Sequence, residues 1–329
     1  MKFWKILFLN ILIMGTMISI SSISWLSMWM GLEINLMAFI PLLINFKSIY
    51  SAESALKYFI SQTLGSLILL FSMILNMIIF EYMIFSKSMI LLINSALLLK
   101  MGAAPFHFWF PEIIEGLNWI NILILLTWQK IAPMILLMYN LKLINFISTI
   151  IISSIIISTI SSFNQISIRK ILVFSSINHI GWMLSAMIFN QSIWLIYLMI
   201  YSLMTFLMIF MFYKMNCYFF NHLFLIFSKN KIIQILFFLN FFSLGGLPPF
   251  IGFFPKWITS NELMNNNFFI IFILIFFNLI MLYIYIRLMH NSILLKNYSI
   301  KNNFYSNNIL LLISNLFFIL LTPLIVSYF

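Results

Sequence analysis

The sequence predicts an all-α polytopic membrane protein. It has eleven transmembrane helices, built as two inverted five-helix repeats with a discontinuous helix in each, and one C-terminal helix. Three observations predict this. The 329 residues are 64% hydrophobic and 7% charged, with a mean hydropathy of +1.12, and no soluble core absorbs that much apolar surface. The basic residues gather on one side of alternate connections. Finally, "GAAPFHFWFP" from Gly102 and "GLPPFIGFFP" from Gly246 align without a gap at an offset of 144 residues, matching at Gly102/Gly246, Pro105/Pro249, Phe106/Phe250, Phe110/Phe254 and Pro111/Pro255.

A helix crossing about 30 Å of hydrocarbon needs roughly 20 residues. The first two runs are 3–23 and 24–46. "MKFWKILFLN" at the start has neither a small-residue cleavage site nor the Arg- and Ser-rich character of a transit peptide, so the first helix is expected to stay in the mature protein. The second run carries Glu33 in "MWMGLEIN". The third, 52–79, begins with Glu53 and Lys57. The fourth, 86–116, is too long for one unbroken crossing and holds the first motif. The fifth, 118–141, carries Lys130 in "LTWQKIAP". Next come 143–162, then 169–189 with His179 in "SSINHIGW", then 191–214. The ninth, 231–260, is again too long and holds the second motif. The runs 267–290 and 308–327 complete the eleven. The polar stretches 216–231 and 296–308 are short loops, so the chain reads as one membrane domain.

With this count, Lys2, Lys5, Lys47, Lys57, Arg169, Lys170, Lys214, Lys229, Lys231, Arg287, Lys296 and Lys301 share the N-terminal side. Lys87 and Lys142 lie opposite, and Lys100, Lys130 and Lys256 lie within spans. Twelve against two places the N-terminus on the positive, matrix or cytoplasmic, side and the C-terminus across the membrane. The net charge of +11 is therefore a topology signal, not a nucleic-acid footprint, because it is spread along the chain.

There is no Asp, and no GxGxxG, GxxxxGK[ST] or carboxylate-rich metal loop, which argues against nucleotide and Mg²⁺ chemistry. Cys217 is the sole cysteine, so neither an intrachain disulfide nor a cysteine-held iron–sulfur cluster is expected. No cofactor is expected in this chain.

Helix breaks are expected at Gly102 with Pro105 and at Gly246 with Pro249, because proline removes a backbone donor and clashes one turn back. The freed backbone groups must face protein or a hydrated cavity. Paired broken helices point to an ion or substrate pathway at a repeat interface. The two broken spans are five apart, and an odd offset inverts the second unit. The repeats then cover roughly 1–141 and 143–290. Two independent proline kinks are the alternative.

Charges deep in a span are costly, so each is a functional candidate. These are Glu33, Lys100 just before the first break, Lys130 mid-span, and Lys256 after the second break in "GFFPKW". Lys256 is nearer a span end, where a snorkelling lysine is the rival reading. Burial disfavours a lysine's charged form and a nearby carboxylate favours it, so Glu33 close to Lys100 would make a proton switch. Lys130 is followed by Pro133, which is expected to loosen the helix and admit water. His107 and His179 are either proton relays or structural hydrogen-bonding residues. Glu112, aligned by the repeat with Lys256, is a further relay candidate. Glu53, Glu81 and Glu115 read as interfacial.

The stretches "MGLEINLMAFIPLL", "ESALKYFISQ", "LLLKMGAAPFHFWFPEIIEGL", "WQKIAP", "SSINHIGW" and "GGLPPFIGFFPKW" closely resemble the antiporter-like membrane subunits of respiratory complex I, over nearly the whole chain and in this order. The skew towards Ile, Phe, Asn, Lys and Met resembles insect members. The resemblance implies relatives among multi-subunit cation/proton antiporters. It also implies a parent form of fourteen helices, of which animal members have lost three. It implies that Glu33 pairs with Lys100, that Lys130 and Lys256 continue a hydrated mid-membrane axis, and that the chain holds no redox cofactor. The implied partners are other complex I membrane subunits, including chains 4 and 4L, accessory subunits and membrane lipid, with no nucleic acid. The implied activity is proton translocation across the inner mitochondrial membrane, driven by quinone reduction elsewhere in the complex. The alternatives are a structural spacer of the membrane arm and a free-standing cation/proton antiporter.

Overall fold

The structure is a computed structural model that describes residues 3–45, 48–80, 87–220, 222–223, 231–248, 250–264 and 267–294. The expected C-terminal span 308–327 and Pro249 lie outside the described residues.

The described residues form helices α1 (Phe3–Ser21), α2 (Trp25–Leu43), α3 (Ile49–Phe80), α4 (Lys87–Met101), α5 (Trp109–Glu115), α6 (Trp119–Leu126), α7 (Trp128–Met138), α8 (Ile144–Ser162), α9 (Ile168–Phe189), α10 (Gln191–Met215), α11 (Lys231–Gly245), α12 (Phe253–Met264) and α13 (Phe268–Leu294). Among these residues the β-structure is one isolated antiparallel bridge, Ser167 to Phe219. Eight segments are long and apolar enough to cross a membrane: α1, α2, Ile49–Met77 of α3, α6 and α7 together as Trp119–Met138, α8, α9, α10, and Phe268–His290 of α13. The two runs that were too long for one crossing are each split, into α4 with α5 and α11 with α12.

The chain divides into two compact units, Met1–Ser153 and Ser154–Phe329. In the first, α1 and α2 pack backbone to backbone. A Cβ on Gly31 would sit 2.6 Å from the Ser19 amide nitrogen, and one on Gly15 would sit 2.9 Å from the Asn35 amide nitrogen. Between helices in lipid, where apolar burial gives no drive to associate, such small-residue contact supplies the packing. It fixes α2, and with it Glu33. Helix α2 then packs on α3, α3 on α4 and α5, and α4 on α7.

In the second unit α9 is buried on every side from Ile171 to Met187, with Ser175, Ser176, Asn178, His179 and Ser185 among the buried side chains. It packs against α10 and α12, and α13 packs against α11 and α12. The outer face of α13 exposes Phe268, Phe269, Phe272, Phe276, Leu279 and Tyr283, a surface suited to hydrocarbon. Buried serines along these helices donate to the carbonyl three residues back, as Ser72 does to Leu69 and Ser185 to Trp182. That local bond satisfies a hydroxyl where no water is available.

Candidate functional site

Both breaks are built by the same backbone device. Helix α4 stops at Met101, and Gly102 takes φ +76°. The Gly102 amide donates to Leu99 O (3.1 Å) and the Ala103 amide to Leu98 O (3.1 Å). Helix α11 stops at Gly245, and Gly246 takes φ +77°. Its amide donates to Ser243 O (3.1 Å), and the Leu247 amide donates to Phe242 O (3.2 Å). Each is a Schellman cap, whose left-handed residue is almost always glycine. The sequence reading placed the breaks at Gly102 with Pro105 and at Gly246 with Pro249, and gave the prolines as the reason. The helix stops three residues ahead of Pro105, at the glycine, because the cap turns the chain before the proline is reached. Downstream, Phe110 N donates to His107 O and Phe254 N to Ile251 O as the helices resume.

What fills the two breaks differs. At the first, Trp109 Nε1 donates to Leu99 O (3.1 Å) and Ser153 Oγ to Ala104 O (2.9 Å), so protein side chains take up the freed carbonyls. The slot beside Gly102 is closed by the Phe110 ring, whose Cδ1 would lie 2.9 Å from an added Cβ. At the second, the slot beside Gly246 is closed by Lys256, with Cδ at 2.8 Å and Nζ at 3.1 Å. The Lys256 ammonium donates to Leu244 O (3.2 Å), Gly245 O (2.9 Å) and Asn278 Oδ1 (2.7 Å). It also lies 5.8 Å from the Trp182 ring centroid. Lys256 is 6% exposed, so it does not snorkel.

Lys100 and Lys130 are also buried, at 7% and 2% exposure. Lys100 closes the last turn of α4 and lines a cavity of about 20 Å³ with Asn35, Tyr58, Gln62, Gln129 and Pro133. A polar cavity above roughly 15 Å³ holds one water. Gln129 Nε2 donates to Asn35 Oδ1 (2.9 Å) across this wall. Lys130 sits in the first turn of α7 with Nζ 5.9 Å from the Phe110 ring centroid. The interruption beside it falls at Thr127, between α6 and α7, while Pro133 stays inside α7. Proline acts four residues back, here at Gln129, and the break at Thr127 lies further upstream.

Glu33 is half-buried on α2, and its Oε1 is buried without a hydrogen-bond partner. It lies within electrostatic reach of Lys100 and Tyr58 but does not form a direct ion pair with Lys100 in this state. His107 is buried, with Nδ1 3.3 Å from Pro105 O. His179 lies on α9 with Nδ1 2.9 Å from the Tyr197 hydroxyl and its ring 5.0 Å from that of Tyr201. Glu112 stands apart from the buried lysines. It is exposed and ion-paired with Lys57, which also bonds Glu53.

Sequence reasoning missed Asn278, Gln62, Tyr58 and Thr127. The signal available for Asn278 was an amide inside an otherwise apolar run, "IFFNLIM". Among the described residues no group of three or more His, Cys, Asp or Glu side chains could hold a metal ion.

A family model described as "NADH:quinone oxidoreductase/Mrp antiporter, TM" matches residues 22–282. Proteins named NADH-ubiquinone oxidoreductase chain 2 are similar over most of the chain. The one from Anopheles gambiae is 48% identical, covering 91% of this chain and 89% of its own. The one from Aedes aegypti is 49% identical, covering 97% and 96%. A chain of respiratory complex I from Thermus thermophilus superposes with a TM-score of 0.84 at 20% identity, over 99% of this chain and 80% of that one. A chain of the Mrp complex from Dietzia does so at 0.74 and 13%, over 85% and 59%.

Proposed function

The chain belongs to the NADH:quinone oxidoreductase/Mrp antiporter membrane family, and within it to the group named NADH-ubiquinone oxidoreductase chain 2; from that membership and its buried lysines we propose that it is a proton-translocating core membrane subunit of respiratory complex I. NADH oxidation and ubiquinone reduction take place in other subunits, and this chain moves protons in response. The observation that carries the reading is that three lysines, each at most 7% exposed, sit at interruptions of their helices. Lys100 precedes the first break, Lys130 follows the Thr127 interruption, and Lys256 follows the second break. A buried ammonium needs polar surroundings, and a helix interruption supplies carbonyls and room for water.

In this proposal Glu33, Lys100 and Lys130 handle protons in the first unit and Lys256 does so in the second. His179, hydrogen-bonded to Tyr197, is a relay candidate, and His107 and Glu112 are weaker ones on their contacts. The architecture is eleven spans in two inverted five-helix repeats, roughly 1–141 and 143–290, followed by the span 308–327. The matching Schellman caps at an odd span offset support the repeat. The protein lies in the inner mitochondrial membrane with its N-terminus in the matrix and its C-terminus on the intermembrane side. It meets other complex I membrane subunits, including chains 4 and 4L, accessory subunits and lipid, and binds no redox cofactor.

The test is the proton-to-electron ratio of the intact complex in sealed vesicles carrying Lys130→Met. Methionine keeps an apolar stem of similar length, so assembly should survive while the ratio falls. An unchanged ratio in an assembled Lys130→Met complex would favour the membrane-arm spacer, a reading consistent with the fully hydrogen-bonded state of Lys256.

A further inference from the structure

We propose that Asn278 is a positioning residue which, together with the last two carbonyls of α11, holds the Lys256 ammonium in the second helix break. The inference rests on the reading of Lys256 as a proton-handling group, and it adds the residue that sets where that group sits.

The accounting of hydrogen bonds at the end of α11 is complete. The last four carbonyls of a helix have no intrahelical partner. Here they are Phe242, Ser243, Leu244 and Gly245. The Schellman cap takes the first two, through Leu247 N and Gly246 N. Lys256 Nζ takes the other two, and Asn278 Nδ2 adds a second donor to Gly245 O at 3.3 Å. An ammonium has three N–H donors, and the third points at Asn278 Oδ1, the shortest of its contacts at 2.7 Å.

The orientation of Asn278 is dictated by this network. With Nδ2 on the Gly245 carbonyl, Oδ1 faces the ammonium. The flipped amide would set an NH₂ against an NH₃⁺ and an oxygen against a carbonyl. An ammonium has a donor for each of the three contacts, whereas a neutral amine, with two N–H donors and a lone pair, could fill only two of them.

None of the three acceptors can take a proton onward, since all are amide oxygens. Proton release therefore requires Nζ to turn one N–H away from this cluster towards water. The residue that holds the ammonium in place also sets how readily it leaves. The side chain that fills the slot distinguishes the second break from the first. The backbone cap is the same in both, but the slot beside Gly102 is filled by the Phe110 ring, and the aligned partner of Lys256, Glu112, lies exposed against Lys57.

The experiment takes the intact complex carrying Asn278→Leu, Asn278→Asp or Lys256→Met. It reads the position of Nζ by electron cryo-microscopy and the proton-to-electron ratio in sealed vesicles. Leucine keeps size and membrane fit while deleting the acceptor. Nζ is expected to leave the Leu244 and Gly245 carbonyls, and the ratio is expected to fall to that of Lys256→Met. Aspartate keeps an oxygen in place, so Nζ should stay at the α11 end. An Asn278→Leu complex with Nζ still bonded to both carbonyls overturns the proposal whatever the ratio shows. So does an Asn278→Asp complex from which Nζ has moved away, which keeps the test decisive if the leucine variant does not assemble. If Nζ moves in Asn278→Leu while Lys256→Met leaves the ratio unchanged, the positioning role of Asn278 is upheld and the proton-handling role of Lys256 is the part that fails.

Discussion

Adding one methyl group at adjacent positions, Gly245 and Gly246, should have opposite consequences. Gly246 has φ +77°, and a left-handed backbone costs an L-residue roughly 1–2 kcal/mol. The new Cβ would also lie 2.8 Å from Lys256 Cδ, so the lysine stem must move. Losing one of its charge-assisted hydrogen bonds costs about 1.5–3 kcal/mol, for a total of roughly 2.5–5 kcal/mol. Gly245 is helical, and a Cβ there would meet Leu282 Cγ at 3.4 Å and Tyr285 Cδ2 at 3.5 Å, which is ordinary contact. Replacing a helical glycine with alanine there gains about 0.5–1 kcal/mol. Gly102→Ala repeats the left-handed penalty and presses on the Phe110 ring at 2.9 Å, an overpacking of about 1–3 kcal/mol. The assay is the yield of assembled complex on native gels and the rate of thermal inactivation of NADH:ubiquinone activity. Gly245→Ala should match or exceed the unmodified complex, and Gly102→Ala and Gly246→Ala should both lose assembly or inactivate faster. Equal tolerance of Gly245→Ala and Gly246→Ala would refute the cap and the lysine slot together.

Three further outcomes are expected. Glu33→Gln should leave assembly intact, because Oε1 has no hydrogen-bond partner to lose, while lowering the proton-to-electron ratio; an unchanged ratio would remove Glu33 from the pathway. Gly31→Val places side-chain atoms against the Ser19 backbone, from which even an added Cβ would lie only 2.6 Å, and should strip assembled complex from native gels; normal yield would deny the α1–α2 contact. Burial pushes the Cys217 thiol, outside the spans, up to about 12, so at pH 8 only about one thiol in ten thousand is the reactive thiolate. Maleimide labelling should be slow until detergent denaturation, and labelling at the rate of a free cysteine would show that the site is open.

The two breaks were legible because glycine and proline stand out against an apolar background, and because they recur at a fixed offset. The cap that makes each break was not legible, for a physical reason. Proline's effect is local and visible in sequence, whereas a Schellman cap depends on the backbone of several residues and shows only as a glycine. The same limit explains Thr127, since nothing about a lone threonine announces that the turn before Lys130 opens there. The buried lysines were found by depth in the span, a one-dimensional quantity that sequence carries well. The partner of Lys256, Asn278, was not found, because a partner is fixed by rotation about the helix axis and by the neighbouring helix.

Glu112 and Lys256 illustrate the point. They occupy aligned positions of the two sequence motifs, yet one lies exposed against Lys57 and the other lies buried against the end of α11. Backbone equivalence fixes where a Cα sits, and the side chain's length, charge and available acceptors decide where it goes. Lysine can reach back over a glycine to free carbonyls, and glutamate, an acceptor itself, gains nothing there. A repeated backbone break thus becomes a cation site only where the sequence also supplies a cation, a slot without a Cβ, and a third acceptor. In this chain those requirements fall on Lys256, Gly246 and Asn278.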